Sequence, residues 1–196
     1  MIHLENIALF FQKSEIGFGS ISFDNITVVS MGPHYFPLGE ESLFGIYRRG
    51  GDLSDIAVAE NKVSGWSRAL AGDMWVRLVA EKKGEKIYLK TSFENREKGE
   101  LVAFAFFVKA KEVEIGNKRI ASGSLNRFQG SSAPINLFDE KGCVRLQVNE
   151  RGPLQIIPLA GGEHFWGANF LIAFEISDDQ SQKVFDFEKI LFYDDK

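Results

Sequence analysis

Met74-Trp75-Val76-Arg77-Leu78-Val79-Ala80-Glu81-Lys82-Lys83-Gly84-Glu85-Lys86-Ile87-Tyr88-Leu89-Lys90-Thr91-Ser92-Phe93 is the stretch on which the fold class of this chain turns. Met74, Val76, Leu78 and Ala80 alternate with Trp75, Arg77, Val79 and Glu81, and Ile87, Leu89, Thr91 and Phe93 alternate with Tyr88, Lys90 and Ser92. A period of two places each set on one face of a strand. Lys82-Lys83-Gly84-Glu85 between them reads as a hairpin turn, so the stretch predicts two antiparallel strands sharing one buried face.

The pattern continues in both directions. Downstream, Glu112–Ile115 turns through Gly116-Asn117 into Lys118–Ser122, and Ile135–Phe138 turns through Asp139–Gly142 into Cys143–Asn149. Leu154–Leu159, Asn169–Ile176 and Val184–Tyr193 complete the set. Leu101–Ala110 is apolar on both faces, which predicts a central strand with Phe104 and Phe106 in the core. Upstream, Leu4–Phe11, Ile16–Phe23, Ile26–Met31 and Leu43–Arg49 read as strands, with a proline-bearing loop over residues 32–42. Ser54–Lys62 stays open between a helical turn capped by Ser54 and a strand carried by Ile56 and Val58. Ser67–Ala71 reads as a short helix. The expectation is an all-β, antiparallel, jelly-roll-like β-sandwich with little helix. With no linker or shift in composition, residues 1–196 form a single domain in this reading.

The 196 residues include 18 Phe, bulky core material suited to pleated surfaces. Cys143 is the only cysteine, so no internal disulfide can form, and it reads as a buried thiol. A formal charge of −4 argues against nucleic acid, which takes a basic face. No apolar run approaches the roughly 20 residues that cross a bilayer, which predicts no membrane partner. Met1–Glu5 carries no basic leader and Ile7–Phe11 is short for a signal core, so the expected address is cytoplasmic.

The most distinctive motif is Gly152–Asn169. Gly152, Pro158, Gly161, His164 and Asn169 make a spacing that resembles the second motif of cupins, with one extra residue before the second glycine and one before the asparagine. The resemblance implies a metal held by imidazole and carboxylate groups, with His164 and, from upstream, His34 and Glu40 as the ligands on offer. The first cupin motif has no counterpart here, and the expectation is no metal and no cofactor.

Within the same stretch, Glu163, His164 and Trp166 gather a carboxylate, an imidazole and an aromatic beside a Gly-Gly turn. Such convergence suits a ligand groove. His34 and Tyr35 of the proline-bearing loop are candidate partners, and Trp75 is another because it shares its strand face with Arg77. The competing reading packs Phe165 and Trp166 into a corner and leaves Glu163 and His164 to solvent. No Gly-x-Ser-x-Gly elbow, dinucleotide fingerprint or phosphate loop occurs.

Three function classes follow. The leading expectation is a non-catalytic sandwich that binds a carbohydrate or another small polar ligand. Second is a structural component with a protein partner, or a homo-oligomer formed through sheet edges. Third is an enzyme, either a cupin-like metal enzyme or a carbohydrate-active jelly roll.

Overall fold

The computed structural model describes residues 2–4, 7–10, 19–23, 26–30, 34–35, 50–59, 61–69, 74–84, 86–95, 102–139, 142–159, 169–176 and 180–190. In chain order the strands are β1 (Ile2–Leu4), β2 (Ile7–Phe10), β3 (Gly19–Phe23), β4 (Ile26–Ser30), β5 (His34–Tyr35), β6 (Gly50–Ala59), β7 (Lys62–Ala69), β8 (Trp75–Lys83) and β9 (Lys86–Glu94). They continue as β10 (Val102–Lys109), β11 (Glu112–Ile115), β12 (Lys118–Ala121), β13 (Phe128–Ser131), β14 (Ile135–Phe138), β15 (Cys143–Val148), β16 (Pro153–Pro158), β17 (Phe170–Ile176) and β18 (Gln182–Ile190). No helix occurs among the described residues, so none there is long and apolar enough to cross a membrane.

The strands form two antiparallel sheets. The first runs β1-β2-β3-β4-β10-β17-β16-β13, with β5 also paired to β10. The second runs β12-β11-β14-β15-β18-β9-β8-β7-β6. The hairpin read from residues 74–93 sits in the second sheet with Val76 opposite Phe93, Ala80 opposite Leu89 and Lys83 opposite Lys86. Val76, Leu78 and Ala80 are fully buried, as their phase requires.

A phenylalanine cluster holds the sheets face to face. Phe104, Phe106 and Phe174 project from the first sheet, and Phe185 and Phe187 from the second. Phe106 packs edge-on against Phe185 and Phe187 at 4.8 and 5.6 Å between centroids, and Phe104 stacks on Phe185 at 5.4 Å. As its apolar run predicts, β10 is central, flanked by β4 and β17, and Phe104 and Phe106 are fully buried. Its neighbour β17 is buried from Phe170 through Phe174 on both faces.

Several local expectations are corrected. Ser54–Lys62 is strand through Ala59, and no helical turn forms there. Its mixed periodicity has a physical source: β6 slips register against β7 twice, between Gly50 and Leu53 and between Ser54 and Ala57, and Asp55 takes a φ of 50°. Bulges of this kind break the period of two. Ser67–Ala69 is also strand, because Ser67 and Arg68 pair with Val76 and Trp75, and the ladder overrides local helical preference. Leu4–Phe11 is two strands, β1 and β2, rather than one. His34–Tyr35, expected within a loop, pairs with Ala103 and Val102. β13 was not anticipated: its exposed Gln129 and Ser131 carry no apolar alternation, and it exists through pairing with β16. The expected strand Leu43–Arg49 lies outside the described residues.

The turn at Gly116 carries a measurable cost for any side chain. Gly116 has a φ of +57° at the first central position of the Ile115–Lys118 hairpin, where an L side chain is strained although no atom would touch its Cβ. Gly116→Ala is expected to destabilise by about 1 kcal/mol. Chemical denaturation checks it, and an unchanged midpoint would show that the turn relaxes freely.

Candidate functional site

The outward phase of the second sheet builds a polar surface with a concavity in it. Alternation on β8 and β9 turns Trp75, Arg77, Val79 and Glu81 outward, together with Lys86, Tyr88, Lys90 and Ser92. Ladder register then fixes which of them become neighbours. Arg77 lies between Trp66 and Ser92, Val79 between Ser64 and Lys90, and Glu81 between Lys62 and Tyr88.

The result is a concavity of about 260 Å³ lined by Lys62, Arg77, Val79, Glu81, Tyr88, Lys90 and Ser92. Val79 and Tyr88 are half-buried and give it an apolar floor. Arg77 is held from outside the lining, its guanidinium 5.5 Å from the centre of the Trp66 ring. Glu81 forms an ion pair with Lys83 at 3.3 Å.

A polar row continues across the same face. Lys86 bridges Asp186 and Glu188 at 3.3 and 3.2 Å, and these bonds, Glu188 first, raise its pKa. Arg145 Nε donates to Asn136 Oδ1, Asn136 Nδ2 donates to Glu114 Oε1 at 3.0 Å, and Arg119 Nε donates to Glu114 Oε2 at 2.7 Å. The Asn136 and Arg119 bonds hold the Glu114 carboxyl below its ordinary range. These groups pair with one another, whereas Lys62 and Lys90 of the concavity form no ion pair with any described residue.

The residues singled out from sequence are placed as follows. Trp75 is half-buried on the outward face of β8, opposite Glu94, one row beyond the concavity. His34 and Tyr35 sit in β5 against β10 in the other sheet, so the fold does not bring them to Trp75's face. Glu163, His164 and Trp166 lie outside the described residues. The described parts of the cupin-like stretch fasten backbone. Asn169 Oδ1 accepts from Ala110 N at 2.9 Å, Asn169 N donates to Val108 O, and Asn169 O accepts from Leu159 N. Gly152 N donates to Ser132 Oγ at 2.9 Å, and Ser132 N donates to Gly152 O at 2.7 Å. Among the described residues no group of three or more His, Cys, Asp or Glu side chains converges as metal ligands would. Cys143 is buried, and desolvation pushes its thiol up to about 11, so it is a poor nucleophile at neutral pH.

Of the concavity's residues, sequence reading reached only Arg77, as the companion of Trp75. The outward phase of β8 and β9 was visible in the alternation. The contribution of Lys62 depends on β7 pairing with β8, and the bulged β6–β7 segment hid that pairing.

No protein family and no curated protein sequence matches this chain. Among solved structures it is similar to the 4-alpha-glucanotransferase from Thermococcus litoralis, with a TM-score of 0.53 and 15% identity over 82% of this chain and 27% of that one. The likeness is one of fold. The chain spans little more than a quarter of that protein's length.

Proposed function

We propose that this chain is a non-catalytic β-sandwich binding protein that holds a saccharide on the outward face of its second sheet. The observation that carries the reading is the Val79–Tyr88 floor ringed by Lys62, Arg77, Glu81, Lys90 and Ser92. Sugars present apolar C–H faces and many hydroxyls, and an aromatic floor with a rim of donors and acceptors answers both. The fold likeness to part of a 4-alpha-glucanotransferase supports a saccharide as the occupant.

Binding suits this lining better than cleavage. Glycoside hydrolysis takes two facing carboxyl groups, and this lining offers one, Glu81, already paired with Lys83. The proposal is placed on the face and not on the sheet edges, because the second sheet's edges carry features that deter pairing: two register shifts in β6 and exposed Lys118 and Arg119 on β12.

Affinity electrophoresis of the full chain through gels holding neutral or acidic polysaccharides tests the reading. Retardation by at least one is expected, and Tyr88→Ala should weaken it about tenfold, the loss of one aromatic contact. If no polysaccharide slows the wild-type protein, the reading fails.

A further inference from the structure

We infer that the saccharide held on this face is acidic, a chain carrying anionic oxygens at intervals along its length. The inference rests on the saccharide-binding reading above and names its ligand class. Three cations, Lys62, Arg77 and Lys90, line the concavity against one carboxylate, on a protein whose formal charge is −4. The bias is local, and the pairing pattern around the concavity produces it.

Among the described residues, the acidic neighbours Glu81, Asp186 and Glu188 already have their own cations. Lys83 takes Glu81, and Lys86 takes both Asp186 and Glu188. Neither Lys83 nor Lys86 belongs to the lining, so the pairs that quench negative charge leave the lining cations unquenched. All three of these cations are exposed, and Lys62 and Lys90 make no ion pair with any described residue.

The geometry accommodates an extended polyanion. Lys62, Arg77 and Lys90 stand on β7, β8 and β9, in three different rows around Val79. Strand spacing and rise place their Cα atoms roughly 8–14 Å apart across the sheet face, a spread that lets the three cations meet charges repeated along a short oligosaccharide. Arg77 is the best-defined of the three, because the Trp66 ring beside it limits its conformers and presents the planar fork that matches a carboxylate or sulfate in two parallel bonds. Val79 and Tyr88 between the cations receive the sugar rings.

The test compares retardation of the full chain by polygalacturonate, dextran sulfate, neutral amylopectin and a single-stranded oligonucleotide, with Lys62→Gln/Lys90→Gln as the variant. Both substituted side chains are exposed, so the fold should be unaffected. Polygalacturonate should bind in preference to amylopectin, and the double variant should bind it about tenfold more weakly. Raising salt to about 0.5 M should erase most of the preference. Retardation by dextran sulfate alone would assign the anion as sulfate within the same inference. Equal binding of amylopectin and polygalacturonate, unchanged in the double variant, overturns the acidic preference and leaves the saccharide reading standing. Binding of the oligonucleotide with no polysaccharide bound overturns both.

Discussion

Phe106→Ala is expected to lower the unfolding free energy by about 3–5 kcal/mol, a large share of a typical domain's stability. Phe106 is fully buried on β10, the strand between β4 and β17. Its ring meets four others: Phe104 at 5.1 Å, Phe174 at 6.0 Å, Phe185 at 4.8 Å and Phe187 at 5.6 Å between centroids. Two of those partners come from the opposite sheet, so truncation opens a cavity at the seam of the sandwich. The rings around it sit on hydrogen-bonded strands and cannot collapse far to fill it. Each edge-to-face pair adds about 0.5–1.5 kcal/mol beyond area burial, which places Phe106 toward the upper end of the range. Urea unfolding of the variant checks this. A loss below about 1 kcal/mol would mean that the two sheets are not packed through this ring.

Lys183→Met is expected to stabilise the protein near neutral pH by about 2 kcal/mol, with a gain that shrinks as pH rises. Lys183 lies on the inward phase of β18 with Phe185 and Phe187 and is only 1% exposed. Its ammonium donates to the Glu175 carbonyl at 3.2 Å, and a methyl group on Gly152 would come within 3.4 Å of Nζ, so the glycine leaves it room. Burial lowers the Lys183 pKa from 10.5, against a weaker upward pull from Glu150 and Glu175. A lysine whose folded pKa is depressed binds its proton less tightly in the native state than in the unfolded one. The penalty is therefore complete below the lowered folded pKa and is relieved as pH climbs from there to 10.5. Wild-type stability should rise relative to the methionine variant across that window. Unfolding midpoints of both proteins over a pH series provide the measurement. Parallel profiles, or a variant less stable than wild type at neutral pH, would show that the buried ammonium carries no penalty.

These two residues show how unevenly the sequence disclosed the protein. Phe106 was legible because Leu101–Ala110 is apolar on both faces, and a strand of that composition has to be central. Lys183 was not legible. A lysine at a strand start reads as solvated, and its burial comes from where the start of β18 meets the end of β17 and Gly152, a tertiary contact that strand alternation does not show. The short helix expected near Ser67 failed for a related reason: β7 is held by β8, and its own propensities do not show the pairing.

The candidate site divides in the same way. Alternation alone determined that Arg77, Val79, Tyr88 and Lys90 would face away from the core, because a period of two fixes each side chain's face once its neighbour's is known. It also determined the all-β class and the antiparallel hairpins, since short turns permit nothing else. What alternation cannot carry is the order of strands across a sheet. Only the tertiary structure brought Lys62 beside Glu81 and placed Lys86 between Asp186 and Glu188. It likewise kept β5 with His34 and Tyr35 in the other sheet, away from Trp75. Those neighbours are decided by pairing across long sequence separations, and the free energy of that pairing comes from burying the phenylalanine seam between two sheets, which no local stretch of the chain contains.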